Sequence, residues 1–133
     1  MKKVKSFDMK HGVNHSKFGR DRDQRKALFR ALITSLCQHG RIETTLAKAK
    51  AIKPMTEKLL TKAKKDNLAS IRAVASFVYT ESARKNLFEF AKAAKERNGG
   101  YIRIYKKGPR LSDASSMAII EFVDKIETKA VKA

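Results

Sequence analysis

The chain has 133 residues, with 31 Lys and Arg against 13 Asp and Glu, a formal charge of +18 and a pI near 10.3. That length suits one compact domain able to bury a core without disulfides, and the single Cys37 excludes a disulfide framework and fits a reducing compartment. A cationic excess of this size repels itself at neutral pH unless an anionic partner balances it, which points to nucleic acid. A membrane is the weaker partner: no apolar run approaches the roughly 20 residues of a spanning helix, and the basic residues are spread along the whole chain. The opening MKKVKSFD has the charge of a signal peptide with no apolar stretch behind it, so export by that route is not expected.

Residues 1–20 hold Gly12, Gly19, scattered His and Lys, and apolar groups without helical spacing, which reads as a basic N-terminal arm. Asp21 or Asp23 then caps a helix in which Leu28, Leu32 and Leu36 repeat every four residues beside Phe29 and Ile33, and Gly40 stops it. RIETTL alternates in the manner of a half-buried strand, with Thr44 or Thr45 free to cap a second helix from about Ala47 to Lys65. Pro54 should kink that helix or begin its second half. Asn67 caps a shorter third helix with Leu68, Ile71, Val74, Ala75 and Val78 inward. Thr80 opens a fourth, striped by Ala83, Leu87, Phe88, Ala91 and Ala94 and halted by Asn98, Gly99 and Gly100.

Beyond the glycines the period changes to two: YIRIYK places Tyr101, Arg103 and Tyr105 on one face and Ile102 and Ile104 on the other. MAIIEFV is nearly all apolar and of strand length, which suits the centre of a small sheet. The fold expected is α+β in two layers: helix, strand, three helices and two strands, with a small mixed three-stranded sheet carrying helices on one face. Residues 21–124 form this single domain, and residues 125–133 read as a frayed tail.

A search for catalytic groups fails. Asp21 and Asp23 lie among Arg20, Arg22 and Arg25 at a helix start, where capping explains them. His11 and His15 have Gly12 between them and no carboxylate or thiol cluster to complete a metal site. Cys37 and His39 are two positions apart on a helix, which separates their side chains. The glycines of NGG precede a strand, whereas phosphate-binding loops precede a helix. No enzyme activity, cofactor or metal is expected.

What remains is charge placed by geometry. Residues 1–30 carry ten Lys or Arg against Asp8, Asp21 and Asp23, a balance of +7, and the arm and first helix are expected to form one basic surface. In the second helix Lys48, Lys50, Lys53, Lys58, Lys62, Lys64 and Lys65 meet Glu57 alone. Like charges at helical spacing oppose one another, so phosphate contact explains the set better than solvation does. YIRIYKKGPR adds two tyrosines flanking Arg103, then Lys106, Lys107 and Arg110 at a glycine-proline turn: stacking plus phosphate contact. The competing reading lets Tyr101 and Tyr105 cover the sheet edge while Arg103 pairs with Glu121 or Glu43.

Two ordered stretches, MKHGVNHSKFGRDRDQRKALFRALITSLCQHGRIETTLAKAKAIKPMTEKLLTKAK and NGGYIRIYKKGPRLSDASSMAIIEFVD, resemble the signature regions of the L17 family of bacterial large-subunit ribosomal proteins. The likeness runs from Met9 to about Asp124, which leaves residues 1–8 as an extension. The resemblance implies a non-enzymatic structural constituent of the large ribosomal subunit that binds large-subunit rRNA near the nascent-chain tunnel exit, beside neighbouring ribosomal proteins. It places the chain in a cytoplasmic or organellar ribosome. Carried over as RNA contacts on matching basic positions are Lys10, His11, Lys17, Arg20, Arg25, Lys26, Arg30, Arg41, Lys48, Lys50, Arg103 and Arg110, and the turn adds Lys106 and Lys107. Gln24 stands where the family usually shows histidine. The arm is expected to fold into a crevice between RNA helices. An architectural nucleoid DNA-binding protein would share the charge but lacks an identifiable recognition helix or paired basic ribbon here. A small nuclease would need a carboxylate set that the dispersed acids do not supply.

Overall fold

Asp21 is the N-cap of α1 (Arg22–His39) in an extended conformation, with Asp23 in the first turn facing the positive end of the helix dipole. The helix stops where expected. Gly40 takes the left-handed conformation, φ 72°, and its N–H returns to the Leu36 carbonyl. These positions belong to a computed structural model that describes residues 16–124 and residue 126.

The buried side of α1 is Phe29, Ile33, Leu36 and Cys37, while Leu28 and Leu32 are only half-buried. The stripe therefore sits about one position round from the leucine repeat, because α1 must face both α4 and the sheet. After Gly40, β1 (Arg41–Thr45) passes into α2 (Leu46–Ala63) with no intervening residue, Thr45 being both the last strand position and the N-cap. Leu46 is thus helical rather than the last alternating residue of the strand. α2 runs through Pro54 as one helix, so Pro54 does not begin a second segment. Its inner side carries Ala49, Ile52, Thr56, Leu59 and Leu60, and the buried Thr56 hydroxyl donates to the Ile52 carbonyl at 2.9 Å.

α3 (Leu68–Ala75) begins with a reciprocal cap: Asn67 Oδ1 accepts the Ser70 N–H at 2.8 Å, and Ser70 Oγ accepts the Asn67 N–H at 3.1 Å. This cap corrects the expected inward face. Ser70 is drawn inward with Val74 and Val78, which turns Leu68 and Ile71 to solvent, 61% and 45% exposed. α4 (Glu81–Ala93) buries Ala83, Leu87 and Ala91 as its spacing predicts, but Phe88 is half-buried. Phe90 is buried in its place, its ring stacked on Phe122 with centroids 4.0 Å apart.

β2 (Ile102–Pro109) and β3 (Ser116–Phe122) complete a sheet of order β1-β3-β2. The apolar strand is central, as expected. Both pairings are antiparallel, so the sheet is not mixed. The physical reason is the short return from Pro109 to Ser116, which only an antiparallel pair can close, with β1 then adding antiparallel to the other edge of β3. The inner face presents Thr44, Ile102, Ala118, Ile120 and Phe122 to the helices, chiefly α2. Tyr101 is also buried, just before β2. Ile126 packs partly against the same core.

Candidate nucleic-acid interface

The outer face of the sheet reads as rows across three strands. Arg41, Glu121 and Arg103 form one row; Glu43, Ile119 and Tyr105 form the next. Arg41 Nε lies 3.8 Å from Glu121, and Arg103 donates from Nη1 to the Tyr105 hydroxyl at 3.3 Å. The Arg103 pKa is raised above its ordinary value, first by that hydrogen bond and then by charge. One carboxylate thus lies between two guanidinium groups, and Tyr105 stays 42% exposed beside Arg103.

Two cations expected at the phosphates are already engaged. A bulge between Lys106 and Gly108 leaves Lys107 as the extra residue of β2. Its ammonium group then reaches Glu43 across β3, at 3.0 and 2.8 Å. Arg110 grips Asp113 bidentately at 2.9 and 2.7 Å, while Ser115 donates to the same carboxylate from its N–H and its hydroxyl. Arg110 and then Ser115 hold the Asp113 carboxyl well below the usual carboxylate range. Its role is to lock the turn between β2 and β3.

The 14 expected contacts do not form a single cluster. Lys10 and His11 lie outside the described residues. Lys17, Arg20, Arg25 and Lys26 gather at the N-terminal end of α1, which its 18 residues carry about 27 Å from the start of β1. There Phe18 sets its ring edge against Phe29 at 5.7 Å, Arg20 donates to the Phe18 carbonyl and Arg25 to the Arg20 carbonyl. A second group comprises Lys48, Lys50, Lys106, Lys107 and Arg110, since β1 and β2 end, and β3 begins, at the same end of the sheet. Arg41 and Arg103 lie at its opposite end. Among the described residues, Lys17, Lys26, Lys48, Lys50 and Lys106 have no carboxylate within ion-pair distance.

Tyr101 does not share a face with Arg103. It is turned into the core, 5% exposed, where its hydroxyl meets Lys64 Nζ at 3.1 Å and its ring lies 4.9 Å from the same ammonium. The chain reverses at Gly99 and Gly100, both at positive φ, so strand alternation does not extend back to residue 101.

Arg30 is also engaged within the protein. One guanidinium nitrogen donates to the Ser76 carbonyl and Nη1 donates to the Tyr79 hydroxyl at 3.2 Å, with the guanidinium carbon 5.1 Å from the Tyr79 ring centre. The sequence gives little sign of this arrangement, because 49 residues separate the partners. Cys37 is wholly enclosed, and burial pushes its thiol up to about 12, which leaves it without nucleophilic character.

These elements describe a small α+β domain in which the expected basic contacts fall into separate groups, and in which Lys53, Lys58, Lys62 and Lys65 along and just beyond α2 likewise have no ion pair among the described residues. The family model for ribosomal protein L17 matches residues 28–123. Large ribosomal subunit protein bL17 of Clostridium acetobutylicum is 48% identical over 110 residues, which is 82% of this chain and 96% of the relative. The bL17 protein of Thermodesulfovibrio yellowstonii is 47% identical over 117 residues, 87% and 88% of the two chains. That of Clostridium botulinum is 48% identical over 112 residues, 84% and 99%. The chain belongs to the L17 family of ribosomal proteins, which is not a family of enzymes. No support for the DNA-architectural alternative comes from these likenesses. Among the described residues no helix is long and apolar enough to cross a membrane.

Proposed function

We propose that this protein is a structural constituent of the large ribosomal subunit that binds large-subunit rRNA near the exit of the nascent-chain tunnel, beside neighbouring ribosomal proteins. The observation that carries the reading is the near end-to-end likeness to relatives named as large-subunit proteins, 48% identical across 96% of one of them. The geometry supports RNA as the partner. Lys17 and Lys26 at the start of α1, Lys48 and Lys50 near the start of α2 and Lys106 on β2 have no carboxylate within ion-pair distance among the described residues, and RNA phosphates would neutralise them with release of counterions.

On this reading the first group of cations and the sheet-end group grip different RNA segments, and residues 1–20 extend the first grip into a crevice between RNA helices. The site of action is a ribosome, in the cytoplasm of a bacterium or in an organelle. The test is fractionation of a native lysate on a sucrose gradient at low salt. Co-sedimentation with large subunits at about one copy each is expected, and recovery at the top of the gradient refutes the proposal. A purified chain that fails to bind large-subunit rRNA refutes the RNA-binding part separately.

A further inference from the structure

The link between α3 and α4 displays an aromatic ring where a buried one would be ordinary. Phe77 is half-buried and Val78 fully buried, yet Tyr79 between Val78 and the Thr80 cap remains 54% exposed. Its position is fixed from α1 at two points: the Tyr79 N–H donates to Thr34 Oγ1 at 3.4 Å, and its hydroxyl accepts from Arg30. Arg30 in turn holds the Ser76 carbonyl and lies 5.7 Å from the Phe77 ring centre. We propose that Tyr79, held by Arg30, is a stacking site for one unpaired RNA base. The proposal rests on the rRNA-binding function above and names a contact within it.

Three features favour a base. A ring anchored at its backbone and at its hydroxyl has already lost its rotamer freedom, so a planar ligand that stacks on it pays little further ordering cost. The guanidinium carbon lies over the ring, 5.1 Å from its centre, and bases stack on arginine planes as well as on aromatic rings. Lys26, one turn before Arg30 on the same side of α1, is exposed and has no carboxylate partner among the described residues, so it is available to a phosphate of the same RNA segment. A peptide anchor would instead call for an apolar groove, and here the exposed ring is bordered by the Arg30 guanidinium, which also lies 5.7 Å from the half-buried Phe77 ring.

Arg30 accordingly acts as a positioning residue. Its guanidinium donates to a carbonyl and a hydroxyl, and Nε is enclosed without an acceptor among the described residues, so within this proposal Arg30 serves the RNA contact by fixing Tyr79.

The experiment measures binding of the full chain to a large-subunit rRNA transcript across a salt series. Tyr79→Leu should bind about 5- to 150-fold more weakly with an unchanged dependence on salt, since the ring carries no charge. Tyr79→Phe keeps the ring and should stay within a few-fold of the parent, whereas Lys26→Gln should lower the salt slope by roughly one. Ultraviolet crosslinking of the unaltered chain in assembled subunits, read by mass spectrometry, should yield a nucleobase adduct on Tyr79 whatever the variants do to folding. Equal affinity of Tyr79→Leu and the parent overturns the proposal, as does protection of Tyr79 by a neighbouring protein without an RNA adduct. If the parent itself does not bind, the broader rRNA-binding reading fails instead.

Discussion

Two double substitutions separate cations that await a partner from cations that already have one. Lys48→Gln with Lys50→Gln, and Lys107→Gln with Arg110→Gln, each remove two positive charges, so any effect of net charge is matched. The local situations differ. Lys48 and Lys50 have no carboxylate at hand among the described residues, whereas Lys107 sits 2.8 Å from Glu43 and Arg110 sits 2.7 Å from Asp113. Each lysine that neutralises a phosphate adds about 0.7–0.9 to the slope of log affinity against log salt. The first pair should therefore lower the slope by about 1.4–1.8, which between 50 and 200 mM salt changes the affinity ratio to the parent by about 7- to 12-fold. The second pair should lower it by less than half as much, because those charges are already compensated. Filter binding to a large-subunit rRNA transcript at four salt concentrations measures both. Equal slopes for the two variants, or a greater loss from the second, would refute the reasoning.

Phe90→Ala should destabilise the fold by about 3–5 kcal/mol in urea unfolding, since the ring is buried and stacked on Phe122, and a loss under 1 kcal/mol would show that the pair does not hold the sheet to α4. Asp113 has its carboxyl pKa lowered by folding, so its contribution is fully present above the unfolded value near 3.9 and is lost progressively as pH falls from there towards the lower folded value. The thermal midpoint of the parent should accordingly converge on that of Asp113→Asn as pH falls from about 5 to 2, and a constant gap would count against the turn lock. Cys37, its thiol pushed up to about 12 by burial, should resist a water-soluble alkylating reagent at pH 8 and react once urea is added. Rapid labelling of the native chain would mean that the core opens at α1.

Features set by neighbours in the chain were legible from residues alone. Gly40 ends α1 because a left-handed residue is needed there, Asn67 caps α3 through its own Ser70, and the apolar run of β3 marks the central strand, paired at both edges. Features set by distant partners were not. Lys107 and Glu43 are 64 residues apart, and no spacing rule shows that a bulge sends one over β3 to the other. Leu68 and Ile71 follow helical spacing faithfully, yet the cap on Ser70 fixes the phase of α3 and turns them outward. Phe90 escaped the stripe on α4 because its partner lies at the end of the sheet rather than on a helix. The basic positions were named from resemblance and local charge, but their separation into distinct groups, and the hydrogen bond from Arg30 to Tyr79, are properties of the folded chain.

The direct passage from β1 into α2 at Thr45 has a mechanical meaning. With no slack between strand and helix, the backbone that carries Lys48 and Lys50 on α2 continues directly from the β1 ladder, and the two side chains leave the helix on either side of the buried Ala49. Under the proposed function, an RNA strand seated at this end of the domain would meet one continuous strand-to-helix backbone instead of two elements joined by a loop.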